Sequence, residues 1–131
     1  PKAYIPSERQ RMEVYRRLAG CTTPDELEQL AKDVADAYGR LPGEMRRLLE
    51  MAEIRVRAAH AGIDRIVRNP PDVVFTAHDM ARVQPVFEDA PGSVRMPDEQ
   101  TVHWRPPKGY LEPPTLVTVL LKRLRQARQP V

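Results

Sequence analysis

The chain is short of cysteine, aromatics and histidine, and it has no long apolar run. Cys21 is its one cysteine. That excludes an intrachain disulfide and a cysteine-built metal site, and it fits a reducing compartment. No apolar stretch approaches the ~20 residues that cross a bilayer, and no signal peptide is visible. The sequence therefore predicts a cytoplasmic protein with no membrane contact. Aromatics make up only 5% of the residues, so the core must rest on Leu, Val, Met and Ala. No paired aromatic motif offers nucleobases a stacking platform, and Trp104 reads as strand core or sheet edge. His60, His78 and His103 fall in three separate elements, without HExxH spacing. There is no GxxxxGK[ST] or GxGxxG loop to cradle phosphates and no GxSxG elbow. The residues predict no catalytic, cofactor or metal site. A small hydrolase would need the fold to gather His78 or His103 with a carboxylate.

Proline and charge are abundant instead. Of fourteen prolines, ten lie at residue 70 or beyond, which predicts short elements and rigid turns there. Lys and Arg number 21 against 18 Asp and Glu, a net charge of +3. The two signs are interleaved, unlike the massed cations of a dedicated nucleic-acid binder. A chain of 131 residues suits one domain with a modest core. It does not begin with methionine, which predicts processing or excision from a longer protein.

Ser7 caps a first helix with Met12, Tyr15, Leu18 and Ala19 as its apolar stripe, ending at Gly20. Thr23, Pro24 and Asp25-Glu26 open a second, with capping-box spacing between Thr23 and Glu26. Its stripe is Leu27, Leu30, Ala31, Val34, Ala35 and Tyr38. Gly39 follows at the position where a positive φ is needed. Pro42 opens a third helix with stripe Met45, Leu48, Leu49, Ala52, Val56 and Ala59, which Gly62 ends. The period then changes. Residues 63–67 and 73–75 read as strands around the turn Asn69-Pro70-Pro71. Residues 79–87 read as a short helix disturbed at Pro85, and 94–96 and 101–104 as two more strands. Thr115 caps a last helix, apolar through Leu116, Leu120, Leu121 and Leu124, with a basic end at Lys122, Arg123, Arg125 and Arg128. The fold class is α+β: an N-terminal three-helix half (3–62), a small antiparallel sheet (63–105) and a C-terminal helix (115–129), read as a single domain over 1–131.

Asp33 and Asp36 are three apart on the second helix and project side by side. Gln29 and Glu26 extend the same polar strip. The residues alone leave two readings, a solvated helix face or an acidic strip for basic side chains on a partner. Arg46, Arg47, Arg55 and Arg57 decorate the third helix. Helical pairing with Glu44, Glu50 and Glu53 accounts for much of this, and phosphate contact stays open.

The segment "AYIPSERQRMEVYRRLAG" resembles the entry of the C-terminal domain of bacterial transcription-repair coupling factors. "PDELEQLAKDVADAYGRLPGEMRRLLEMAEIRVRAAHAGIDRI" is similar to the rest of that domain's helical half, with its acidic helix and YG-x-LP turn. Beyond residue 70 the likeness is one of layout. The family often carries Arg just before the turn aromatic. Here it is Ala37, at a position expected toward the apolar stripe.

The resemblance implies a C-terminal regulatory domain of a multidomain, ATP-driven double-stranded DNA translocase that displaces stalled RNA polymerase and recruits UvrA. ATP and magnesium would belong to the upstream motor. This domain would carry no enzyme activity or cofactor. It would pack on an N-terminal UvrB-like module and mask its UvrA-binding surface. The acids that do so in the family fall on Asp33 and Asp36, with Tyr38, Gly39, Leu41 and Pro42 as the structural turn. The alternative is an accessory DNA-binding domain using the basic helix faces.

Overall fold

A computed structural model describes residues 3–127. The order is α1 (Glu8–Gly20), α2 (Pro24–Tyr38), α3 (Gly43–His60), β1 (Ile63–Asn69), β2 (Asp72–Ala77), α4 (Met80–Val83), a 3₁₀ turn (Gln84–Phe87), β3 (Ser93–Asp98), β4 (Thr101–Arg105) and α5 (Pro113–Gln126). The α+β architecture expected from the sequence is the one observed. The chain divides into two compact units, Pro1–Val56 and Arg57–Val131.

In the first unit, Ser7 accepts from the Gln10 amide at 3.3 Å. Thr23 accepts from the Glu26 amide at 3.2 Å and donates its hydroxyl to the Glu26 carboxylate at 3.1 Å. Both caps expected from the sequence are thus in place, each satisfying an otherwise orphaned helix donor. Cys21, Leu27, Leu30, Val34, Ala52 and Val56 form the core, with Tyr4, Val14, Leu18, Tyr38, Leu41 and Leu49 packed against it.

Three apolar stripes need correction. On α1 the inward residues are Val14 and Leu18, whereas Met12 (54% exposed) and Tyr15 (36%) face solvent, as does Ala19. The helix is rotated by about one residue from the expected stripe, because Val14 and Leu18 stand four apart and share a face. On α3, Leu48 and Ala59 are exposed and Ile54 and Ala58 are buried. On α2, Ala37 is exposed. From Val34 the stripe steps four residues to Tyr38, leaving Ala37 outside it.

Pro42 lies just before α3, and its carbonyl accepts the Arg46 amide at 3.0 Å. At Gly39, φ is +93° as expected, but ψ is −168°. The residue is extended, not left-handed helical, a backbone that glycine adopts without a Cβ penalty.

In the second unit, four antiparallel strands take the order β1-β2-β4-β3. Val73, Phe75 and Ala77 of β2 and Val102 and Trp104 of β4 are buried on one face. Phe87 meets Phe75 edge-on at 4.8 Å and Trp104 at 6.4 Å. The Trp104 indole donates to the Pro91 carbonyl at 2.8 Å, so its buried N–H is satisfied. Asp79 caps α4, and Pro85 falls in the 3₁₀ turn. The last helix begins two residues before its expected start: Glu112 is its N-cap residue, and Pro113 and Pro114 lie at the start, where a missing N–H costs nothing. Thr115 is thus inside the helix. Leu116, Leu120, Leu121 and Leu124 are buried as expected. Arg128 lies outside the described residues.

Candidate docking surface

The polar strip on α2 separates into residues with different duties. Glu26 belongs to the cap: it also accepts the Thr22 hydroxyl at 3.0 Å. These hydroxyl bonds, from Thr22 first and Thr23 next, hold its carboxyl below the usual range. Gln29 donates to Asp33 at 2.9 Å. Asp33 also faces the Arg17 guanidinium of α1 at 2.7 Å. The Arg17 bond, then that of Gln29, depresses the Asp33 pKa. Asp33 and Arg17 line a shallow cleft of about 260 Å³ with Glu13, Leu30 and Tyr38.

Asp36 differs. It is exposed, and among the described residues it has no ion pair or side-chain hydrogen bond. Two acids that look equivalent in sequence are therefore unequal. One fastens α1 to α2, and the other presents an uncommitted charge one turn nearer the helix end.

The turn after Tyr38 is fixed from a distance. The Tyr4 hydroxyl donates to the Gly39 carbonyl and lies 3.4 Å from the Val34 carbonyl. Its ring stands 5.8 Å from that of Tyr38. Burial, and next the neighbouring Tyr38, raises the Tyr4 pKa, so the hydroxyl keeps the proton it donates. Leu41 packs on the core beside it. Sequence reasoning missed Tyr4 as a partner of the turn. Its signal was an aromatic 35 residues before the glycine, a separation that no periodicity carries.

The four arginines considered for phosphate differ in their partners. Arg55 donates to the carbonyls of Leu18 (3.0 Å) and Cys21 (3.2 Å), satisfying the exposed end of α1. Arg57 has a further interaction of its own. Arg46 and Arg47 are exposed. Arg47 borders a cleft of about 310 Å³ with Tyr15, Glu44, Leu48 and Met51. Cys21 is buried, and its thiol pKa is raised by that burial and then by Glu26.

His78 and His103 each meet one carboxylate, the pairing a small hydrolase would need, but they do so at different places on the sheet unit. His78 stands 2.5 Å from Asp64 with both side chains half exposed. His103 is 3.9 Å from Asp72, whose carboxylate is already held by Arg105 at 2.8 Å. Among the described residues, no group of three or more His, Cys, Asp or Glu is placed to hold a metal, and no helix is long and apolar enough to cross a membrane.

An α+β chain with a capped helical unit and a four-stranded sheet has a counterpart among solved structures. The crystal structure of the C-terminal domain of a transcription-repair coupling factor superposes with a TM-score of 0.71, covering 97% of this chain and 86% of that one at 16% identity, a likeness of fold. The chain belongs to the TRCF domain family, whose model matches residues 1–86. The transcription-repair-coupling factor of Escherichia coli K12 is 31% identical over 87 residues, 66% of this chain and 8% of the relative. That of Staphylococcus haemolyticus is 36% identical over 66 residues, 50% of this chain and 6% of the relative. The chain thus spans less than a tenth of the length of these relatives.

Proposed function

We propose that the chain is a regulatory docking domain of a transcription-repair coupling factor, a protein that moves on double-stranded DNA, displaces stalled RNA polymerase and recruits UvrA. In this reading its α2 face meets basic side chains on a UvrB-like module of the same polypeptide and masks the UvrA-binding surface. The chain itself contributes no catalysis and no cofactor; ATP and magnesium act in the motor. One observation carries the reading: Asp36 is exposed and uncommitted on a helix held by a cap, by Arg17–Asp33 and by Tyr4–Gly39.

An exposed ion pair contributes only about 0–1 kcal/mol. That weakness suits a latch meant to open, since a ligand releases a state only by its differential affinity. Tethering within one polypeptide makes up the rest by raising effective concentration.

The test is binding in trans. The chain is titrated against the separately produced UvrB-like module, with and without UvrA. The expected result is salt-sensitive binding that competes with UvrA. Absence of that binding, together with salt-steep binding of duplex DNA, would sink the reading in favour of an accessory DNA-binding domain.

A further inference from the structure

The second unit has an open sheet edge with a cleft on one side and cations on the other. β3 is the last strand of the sheet and, among the described residues, pairs only with β4. Alternate residues of an edge strand turn their N–H and C=O groups outward, unpaired. Val94 lies opposite the buried Trp104, so Val94 and Met96 point to the core side of the sheet and Arg95 to the other. Val94 and Met96 line a cleft of about 500 Å³ whose far wall is Ala81, Pro85, Phe87 and Glu88.

That wall is held firmly. Arg123 of α5 donates to the carbonyls of Val86, at 2.7 Å, and Glu88. The Trp104 indole holds Pro91. On the opposite side of β3, Arg95 stands across from His103 and 3.6 Å from Asp72. Arg105 takes the same carboxylate at 2.8 Å. Three groups that can carry positive charge thus share one acid, and the Arg95 side chain is 67% exposed.

We propose that the edge of β3 over Ser93–Met96 is a docking site for an extended protein segment that alternates apolar and acidic residues. Main-chain bonds to the open edge hold the segment as a fifth strand. Its apolar side chains enter the cleft beside Phe87 and Met96. Its carboxylates lie on the Arg95 side. Glu88 at the cleft rim disfavours acids on the inward positions and so fixes which face is which. The site is short, because Pro97 has no N–H to offer and the β3–β4 register shifts between Arg95 and Asp98. Trp104, between His103 and Arg105, is fully buried and offers no stacking face, which argues against a nucleic-acid strand, since such strands bind by stacking as well as charge.

The experiment uses the whole chain, labelled with nitrogen-15, and a capped hexapeptide alternating Glu with Val or Leu. Expected are saturable amide shifts at Ser93–Met96 and around Phe87. A peptide of the same composition with its acids in one block should bind weaker. Arg95→Glu should lower affinity for the alternating peptide about fivefold, the upper range for one exposed pair, and should favour a Lys-for-Glu peptide. Met96→Glu, at an exposed position, should also weaken binding. Retained amide spectra establish that both variants fold. Equal binding of the blocked peptide, shifts elsewhere on the chain, or tighter binding of a short duplex DNA at the same residues would each overturn the proposal.

Discussion

The Arg17 guanidinium lies 2.7 Å from the Asp33 carboxylate, which makes Asp33 a fastener within the helical unit, whereas Asp36 three residues on is free of such a duty. The two acids should therefore respond differently to substitution. Asp36→Asn should leave the unfolding midpoint unchanged and weaken docking to the basic partner by up to about fivefold. Asp33→Asn should lower the midpoint of the helical unit, since the charge facing Arg17 is lost and one amide oxygen replaces the two that accept from Arg17 and Gln29. Thermal unfolding alongside the trans-binding assay separates them. Docking that depends on Asp33 alone, with stability unmoved, would reverse the assignment.

Tyr4 reaches the turn that positions both acids. Tyr4→Phe keeps the ring contact with Tyr38 and removes the hydroxyl from Gly39. The expected loss is about 1 kcal/mol, the net value of one such hydrogen bond. Urea unfolding of the helical unit measures it. An unchanged midpoint would mean that the turn holds itself.

Much of this arrangement was legible beforehand, and the reason is local. Ser7, Thr23 and the Leu27–Leu30–Val34 stripe act within a few residues of their own position, so their roles show in spacing. The YG-x-LP turn showed its glycine and proline for the same reason. What stayed hidden depends on partners distant in the chain. Spacing left Asp33 open between a solvated face and a docking strip, and Arg55 between helical pairing and phosphate contact; the Arg17 partner of one and the Leu18 and Cys21 carbonyl partners of the other lie outside their own helices. The α1 stripe was misread because Met12, Tyr15 and Ala19 also fit a helical period. Only packing decides between two faces one residue apart. In the sheet, strand positions could be read from β-branched runs, but the order β1-β2-β4-β3 could not, and the β3 edge follows from that order.

Acid should loosen the chain in a defined direction. Glu26, Asp33, Asp72 and Asp98 all have carboxyl pKa values lowered in the folded state. For Asp33 the first cause is the Arg17 bond, for Asp72 the Arg105 bond, and for Asp98 the Gln100 amide. A carboxyl with a lowered folded pKa binds its proton more readily when unfolded. Its stabilisation is therefore complete above the unfolded value, about 4, and is lost as pH falls through the lower folded value. Unfolding midpoints should be flat near neutrality and decline below about pH 4. In Asp33→Asn that decline should be shallower for the helical unit. A decline beginning well above the carboxylate range would overturn this account.

Gly92 should be the least replaceable glycine of the sheet unit. Its φ is +84°, and a Cβ there would lie 2.1 Å from the Arg105 carbonyl oxygen and 3.0 Å from the Pro106 Cα. Both obstacles are backbone, so no side-chain rotation relieves them. Gly39 offers the contrast, with φ +93° and nothing within 4 Å of the added atom. Gly39→Ala should cost about 1–3 kcal/mol from its positive-φ extended backbone alone, and Gly92→Ala should cost more, since the collision is added to its positive φ. Trp104 is the one tryptophan of the chain and holds the Pro91 carbonyl next to Gly92. Its fluorescence during denaturant unfolding therefore reads the Gly92 variant directly. A Gly92→Ala midpoint equal to wild type would show that the 88–92 loop can move away from β4. The cleft wall beside β3 would then be softer than the peptide-docking proposal requires.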